Sequence, residues 1–433
     1  MRKLTENYSQ NQMLLDNELN VKENFDILKK KLKVGQDEIT LYYLDGFVKD
    51  AIMQKLMMHL LSLDGLGNSA RELVDEKLPH VEVESTDSLD LMLHMVLSGA
   101  SLMIGSTFGD SAIIIDSRSY PARETQEPEN DRTIRGARDG FVETLISNNA
   151  LIRRRIRDTS LVMSYVTVGN SSKTDVVICY IKNKADPAYV KMLKEKLAKI
   201  DTVSLTMGHE SLTECLIKTR WFNPFPKIRY TERPDLAAAQ ILEGSVVILC
   251  DNSPEAMVLP TSVFDFLQET NDFYYPPITG SYLRIVRHIV FWLTLFMVPL
   301  WYLFIKNPQF VPEWLNFILP REVGRLPIIV QLLLVEFIID GLRMASMNTP
   351  DMLANSLSVV GGLILGDFAV DIGWLIPEVI LYMAFVGIAN FAQRNYELGY
   401  AFKFMRMILL VLTALFNIWG FVGGIVLMIV LFI

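Results

Sequence analysis

The chain has 433 residues, 51% of them hydrophobic and 21% charged, with a formal net charge of −8. That length exceeds one ordinary domain, and the acidic balance excludes nucleic acid as the main partner because no basic field dominates. Three cysteines (Cys179, Cys215, Cys250) with no CxxC pair exclude a disulfide framework and fit buried, inert thiols in a reducing compartment.

The first 30 residues are polar and lack an apolar h-region, so no cleavable signal peptide is expected and the N-terminal part is assigned to the cytosol. Residues 1–38 read as a helical lead-in. The strand-like run ITLYYLDGFV (39–48), an amphipathic helix over 49–63, and a helix with two strands over 89–120 define a first α/β subdomain, 39–121. The polar stretch ARETQEPENDRTIRG supplies a linker, 122–136. A second subdomain, 137–280, follows. It holds a basic helix over 137–157, strands at 160–169 and 174–181, a helix over 188–200, a helix ending at Gly244, and a hairpin about Asn252-Ser253-Pro254. The expected fold class is therefore an α/β cytosolic region of two small subdomains followed by an α-helical polytopic membrane domain, 281–433.

From Tyr282 onward apolar residues dominate, and five or six membrane segments are expected. They are 285–305, with Trp301 and Tyr302 as an interfacial belt, then 328–347, 353–373 and 375–392. The last, 407–433, is either one long tilted helix or two short ones broken near Asn417–Gly420. The amphipathic stretch 310–327 is expected to lie along the outer surface. A cytosolic N-terminus puts Arg284, Arg287, Arg343, Arg394, Lys403 and Arg406 at inner ends and only Lys306, Arg321 and Arg325 outside, in agreement with the positive-inside rule.

No GxxxxGK[ST], HExxH, GxSxG or EF-hand pattern occurs, and the five histidines show no metal-ligand spacing. Neither an enzyme nor a cofactor or metal is expected. Three charged constellations stand out instead. The stretch 131–158 concentrates arginines, among them Arg135, Arg138, Arg153, Arg154 and Arg155. It suits docking to a partner subunit, to lipid head groups or to a small anion, or else forms a solvated, salt-bridged helix face. Glu336, Asp340 and Arg343 share one helical face at i, i+4, i+7, either as an Asp340–Arg343 ion pair bracing the bundle or as a conduction element. Ser356, Val360, Leu363, Asp367 and Asp371 form a third face, small or apolar in its middle with carboxylates toward one mouth. Cation channels select and gate with such features, whereas Gly361, Gly362 and Gly366 also suit close helix packing. One such face per chain cannot enclose a pore, so the channel alternative requires a ring of copies.

The motifs DRTIRGARDGFVETLISNNALIRRRIRD (131–158), WFNPFPKIRYTERPD (221–235), LGDFAVDIGWLIPEVILY (365–382) and YELGYAFKFMR (396–406) carry a family likeness. From about residue 39 to the end the chain resembles the A-subunit family of bacterial spore germinant receptors, and within it the stage V sporulation branch. The resemblance implies a multi-pass protein of the spore inner membrane that forms homo-oligomeric rings and releases monovalent cations. It implies as partners a small membrane protein and the germinant receptor subunits, and a role in amplifying ion release. It makes Val360 and Leu363 pore-wall candidates and 131–158 an inter-subunit contact. The chain stops at Ile433 inside an apolar run, where the family usually continues into a polar tail. The expected function is a germination ion channel. The alternatives are a non-conducting sensor or scaffold subunit and, more remotely, an intramembrane enzyme using Glu336 and Asp340.

Overall fold

The computed structural model describes residues 3–78, 82–118, 136–217, 222–269, 272, 274–321, 324–347, 369–391 and 395–432. The chain divides into two compact units, Met1–Lys218 with Ile228–Thr261, and Thr219–Lys227 with Ser262–Ile433. The expected linker 122–136 lies, apart from Gly136, outside the described residues.

The first unit holds two five-stranded antiparallel sheets. Its elements are α1 (Tyr8–Glu18), β1 (Ile27–Val34), β2 (Asp37–Leu44), α2 (Asp50–Leu61), α3 (Ala70–Glu72, continued by a π-helical turn Leu73–Lys77), β3 (Val83–Thr86), α4 (Leu89–Leu97), β4 (Ser101–Gly105) and β5 (Ala112–Ile115). The second sheet follows with α5 (Leu145–Arg155), β6 (Leu161–Val168), β7 (Thr174–Ile181), α6 (Pro187–Ala198), α7 (His209–Leu216), β8 (Arg229–Thr231), α8 (Pro234–Glu243), β9 (Val246–Cys250) and β10 (Ala256–Leu259). Runs such as AIII and VVILC are apolar throughout because both faces of each sheet are covered. Helices α1 and α4 pack on one face of the first sheet and α2 and α3 on the other, as α5 and α8, and α6 and α7, do on the second.

The two halves of this unit are copies of one fold. The strand orders β1-β2-β4-β5-β3 and β6-β7-β9-β10-β8 are the same order, and the helices fall at the same places between strands. Spacing agrees as well: β2 and α2 begin at 37 and 50, β7 and α6 at 174 and 187. Gly99 (φ 99°) and Gly244 (φ 107°) end α4 and α8 in the left-handed region that a side chain disfavours. A Cβ on either would also crowd its neighbour, reaching 2.9 Å from Phe47 Cδ2 and 3.0 Å from Lys184 O. Even the tie between the second and third helices repeats: His59 Nε2 meets Lys77 O at 2.7 Å, and Lys196 Nζ donates to Leu216 O at 3.3 Å.

Three sequence expectations need correction here. The lead-in 1–38 is not separate, because β1 pairs with β2 along its length and α1 packs into the first core. Lysines 29, 30, 31 and 33 mask the apolar alternation of this strand; it is an edge strand, where charge blocks pairing with other chains. The basic helix expected over 137–157 covers only Leu145–Arg155, since Asn148 hydrogen-bonds the Val142 backbone on both sides and holds the preceding segment extended. Of the thiols, Cys179 and Cys250 are buried but Cys215 is exposed.

The halves are tied by a buried ion pair. Arg153, 1% exposed, donates to Asp26 through Nε (3.0 Å) and Nη2 (3.1 Å). Beside it Asn24 Oδ1 accepts from Met163 N at 2.6 Å, fastening the chain before β1 onto β6. Arg153→Ala strands the Asp26 carboxylate and is expected to cost about 3–5 kcal/mol in urea unfolding followed by circular dichroism, with a smaller loss for the Asp26→Leu/Arg153→Met pair. Burial pushes the Cys250 thiol up to about 11 and raises Cys179 further still. Maleimide at pH 8 should accordingly modify one thiol rapidly in the folded protein, and Cys215→Ser should abolish that fast phase.

The second unit contains α9 (Val263–Leu267), α10 (Pro277–Lys306), α11 (Ile328–Met347), α12 (Pro377–Phe391) and α13 (Tyr396–Phe432). Pro277–Lys306 is long and apolar enough to cross a membrane, the apolar stretch Tyr396–Leu431 is interrupted at Asn417, and Pro377–Asn390 is a shorter apolar helix. At 30 residues α10 is about 45 Å long, longer than a bilayer core of about 30 Å.

Helix α13 is two limbs. Asn417 has φ 55° and ψ −132°, and the chain reverses there. A Cβ on Gly424 would lie 2.5 Å from Leu409 Cδ1, although those residues would be about 22 Å apart along a straight helix. Met428 consequently shares a cluster with Phe402. Of the two sequence alternatives for 407–433, the broken helix is the one observed, and it starts at Tyr396. The turn is pinned by reciprocal amide hydrogen bonds between Asn307 and Asn417 (2.6 and 2.9 Å). Trp301 and Tyr302 are not a lipid-facing belt. Both are buried, with the Trp301 ring tilted 39° against Tyr382 at 4.6 Å and its Nε1 donating to Ile318 O at 2.7 Å. In the stretch expected along the outer surface, Phe310, Trp314 and Phe317 are the exposed aromatics.

Candidate functional site

A charge inside an apolar bundle costs several kcal/mol unless it meets an opposite charge or hydrogen-bonding partners. Helix α11 brings Glu336, Asp340 and Arg343 to one face. The first limb of α13, antiparallel to it, brings Tyr396, Tyr400, Lys403 and Arg406, so the two rows pair in opposite order.

Glu336 and Arg406 form the centre. Arg406 is 1% exposed and Glu336 5%. Arg406 Nε donates to Glu336 Oε1 at 2.8 Å, its Nη2 contacts the same oxygen, and Nη1 donates to Thr294 O of α10 at 2.9 Å. Lys403 lies 3.5 Å from Glu336 Oε2 and is ion-paired with Asp340. Two carboxylates and two cations thus neutralise one another and join α10, α11 and α13. Arg343 lies over the rings of Tyr396 and Tyr400, 4.9 and 4.8 Å from their centroids, where the π faces stabilise its charge. A cavity of about 10 Å³, room for about one water, opens beside the network and is completed by Val386, Gly387 and Asn390 of α12. Asn390 Oδ1 is a buried acceptor without a hydrogen-bond partner among the described residues.

Sequence reasoning placed the acids correctly and their partners wrongly. The Asp340–Arg343 brace is replaced by Asp340–Lys403, with Glu336 held by Arg406. Lys403 and Arg406 are buried in the bundle, and pairing with Glu336 and Asp340 is what lets the helix carry them there. The signal was present, since 396, 400 and 403 repeat the spacing of 336, 340 and 343, but two like patterns on separate helices do not announce that they face each other.

The other predicted residues fall as follows. Ser356, Val360, Leu363 and Asp367 lie outside the described residues, as does Arg135; Asp371 is exposed just before α12. Within the described part of the arginine stretch, 136–158, the arginines do not share one surface. Arg138 and Arg154 are exposed, Arg155 is half-buried against Asp139 (2.6 Å), and Arg153 is internal. The contact role expected of Arg153 is therefore corrected: its guanidinium is spent on Asp26 and it cannot reach a partner.

In unit two, the residues 222–227 of the WFNPFP motif also gain a place. Phe225 packs edge-on against Phe402 at 5.9 Å, and Asn223 Nδ2 donates to Leu431 O at 3.0 Å, covering the returning limb of α13. Arg287, near the start of α10, is clamped by Glu269 (2.7 Å) and Asp272 (2.5 Å).

Duplicated α/β sheets in one unit and a charge-braced bundle of apolar helices in the other define a class of protein with a globular α/β region and a helical membrane region. The model described as Bacillus/Clostridium GerA spore germination protein matches residues 14–433, and the chain belongs to that family. It is thus a spore germination membrane protein. It is 38% identical to stage V sporulation protein AF of Bacillus subtilis (strain 168) across 98% of this chain and 86% of that protein. It is 28% identical to spore germination protein KA of the same organism across 94% of this chain and 76% of that one. Among solved structures, the N-terminal domain of the A subunit of the Bacillus megaterium spore germinant receptor GerK3 aligns with a TM-score of 0.47 at 26% identity, covering 60% of this chain and 97% of that one.

Arg406→Ala leaves Glu336 buried beside Lys403 alone. It is expected to cost about 3–5 kcal/mol, read as a lower melting temperature in detergent, and the Glu336→Gln/Arg406→Met pair should lose much less.

Proposed function

We propose that the chain forms a homo-oligomeric ring in the spore inner membrane that conducts monovalent cations and amplifies their release during germination. The observation that carries this reading is the saturation of Glu336 and Asp340 by Arg406 and Lys403. Glu336 is buried and braces the helices, and Asp340, 35% exposed at its side chain, is ion-paired with Lys403. The conduction role therefore passes to the face Ser356, Val360, Leu363, Asp367 and Asp371, whose carboxylates attract cations at one mouth and whose apolar middle forms a constriction. Copies around a common axis shelter that face from lipid. No covalent chemistry is assigned to the chain, and neither cofactor nor metal enters the reading.

Purified protein in liposomes tests it. Potassium efflux should depend on the protein, and Val360→Asp should raise it severalfold; efflux unaffected by Val360→Asp and Leu363→Asp in normally inserted protein would sink the assignment. The second reading is a non-conducting sensor or scaffold, favoured by the exposure of Arg138 and Arg154. It predicts that Glu at both positions abolishes spore germination while substitutions at 360 and 363 are silent.

A further inference from the structure

The duplicated fold offers an internal comparison. In the first copy Leu56 and Leu78 lie under α2 and α3, 7% and 8% exposed. In the second, the corresponding helices α6 and α7 leave an open groove of about 770 Å³, within the range of small-molecule sites. Its base, Leu193, Leu216 and Leu259, is only 2–3% exposed, and its accessible apolar wall is Met192, Ile200 and Ile217. The rim differs between copies in a directed way. Where α2 presents Lys55, His59 and Ser62, α6 and the residue after it present Met192, Lys196 and Lys199. Met192 is 37% exposed, an apolar side chain at a position the first copy keeps polar.

Charge at the rim is net positive. Lys196 spends one of its three N–H groups on Leu216 O, which covers the carbonyl end of α7 and leaves two. Among the described residues lining the groove the one acid is Asp201, which accepts from Asn170 Nδ2 at 2.8 Å. An apolar trough ending in two ammonium groups complements a molecule with a hydrocarbon tail and a single negative head.

We propose that the groove between α6 and α7 binds a small monocarboxylate with an apolar tail, the tail lying against Met192, Ile200 and Ile217 and the carboxylate meeting Lys196 and Lys199. Cys215, exposed on the groove wall, reports occupancy without reference to ion flux.

The test follows maleimide labelling of Cys215 in the detergent-solubilised full chain, with Cys215→Ser as blank. Hexanoate is the probe; hexanol and hexylamine are its neutral and cationic counterparts. At about ten times its Kd hexanoate should slow labelling about tenfold, since only about a tenth of the grooves stay free. Hexanol and hexylamine should need at least about tenfold more, the loss of one charge-assisted hydrogen bond. Lys196→Gln/Lys199→Gln should weaken hexanoate protection to the level of hexanol, and Lys196→Arg/Lys199→Arg should retain it. Equal protection by hexanol, better protection by hexylamine, or labelling already slow and insensitive to every probe would each overturn the proposal. Channel activity can be present or absent without affecting any of these outcomes.

Discussion

The helical unit depends on one electrostatic constraint: an ionised side chain within an apolar bundle must be matched where it lies. Glu336 alone on α11 would be costly, and so would Arg406 alone on α13. Together they form a bonded pair that also takes up the Thr294 carbonyl of α10. Lys403 and Asp340 extend the same neutrality along the interface. Registers of three helices are thereby set by groups that tolerate little sliding, because a displacement of one helical turn would part every charge from its partner. Apolar contacts such as Trp301 on Tyr382 add attraction but are far less selective about register.

A comparable logic operates in the α/β unit on a smaller scale. Two copies of one topology need a fixed relation, and Asp26 with Arg153 supplies it in a site closed to water. The rest of that unit is ordinary layer packing, with strands apolar on both sides and helices laid over each face. Having two copies lets their surfaces diverge while the scaffold stays constant. At one architectural position α2 carries Lys55 and His59 where α6 carries Met192 and Lys196.

Much of the fold was legible from periodicity. The strands at 39–48, 160–169 and 174–181, the helix over 188–200, the Gly244 terminus and the hairpin at Asn252 all follow from local pattern and turn chemistry, and the structure places them within a few residues. The strand at 27–34 was hidden because an edge position favours lysines over alternation. The duplication was hidden for another reason: few side chains are shared between the halves, and what repeats is spacing and backbone geometry, as at Gly99 and Gly244.

Composition and order along the chain were enough to determine an acidic α/β region ahead of an apolar helical one, and the motifs were enough to determine the family. Both are properties of neighbouring residues, carried by periods of two and of 3.6 and by runs of fixed spacing. Tertiary structure alone decided the partners. That Asp340 meets Lys403 and not Arg343, that Arg153 is internal while Arg154 is not, and that α13 turns back at Asn417 depend on which helix faces join. Pairing across 63 residues, as for Asp340 and Lys403, or 70, as for Glu336 and Arg406, leaves no trace in local pattern, because the energy that selects it is realised only when both faces are buried together.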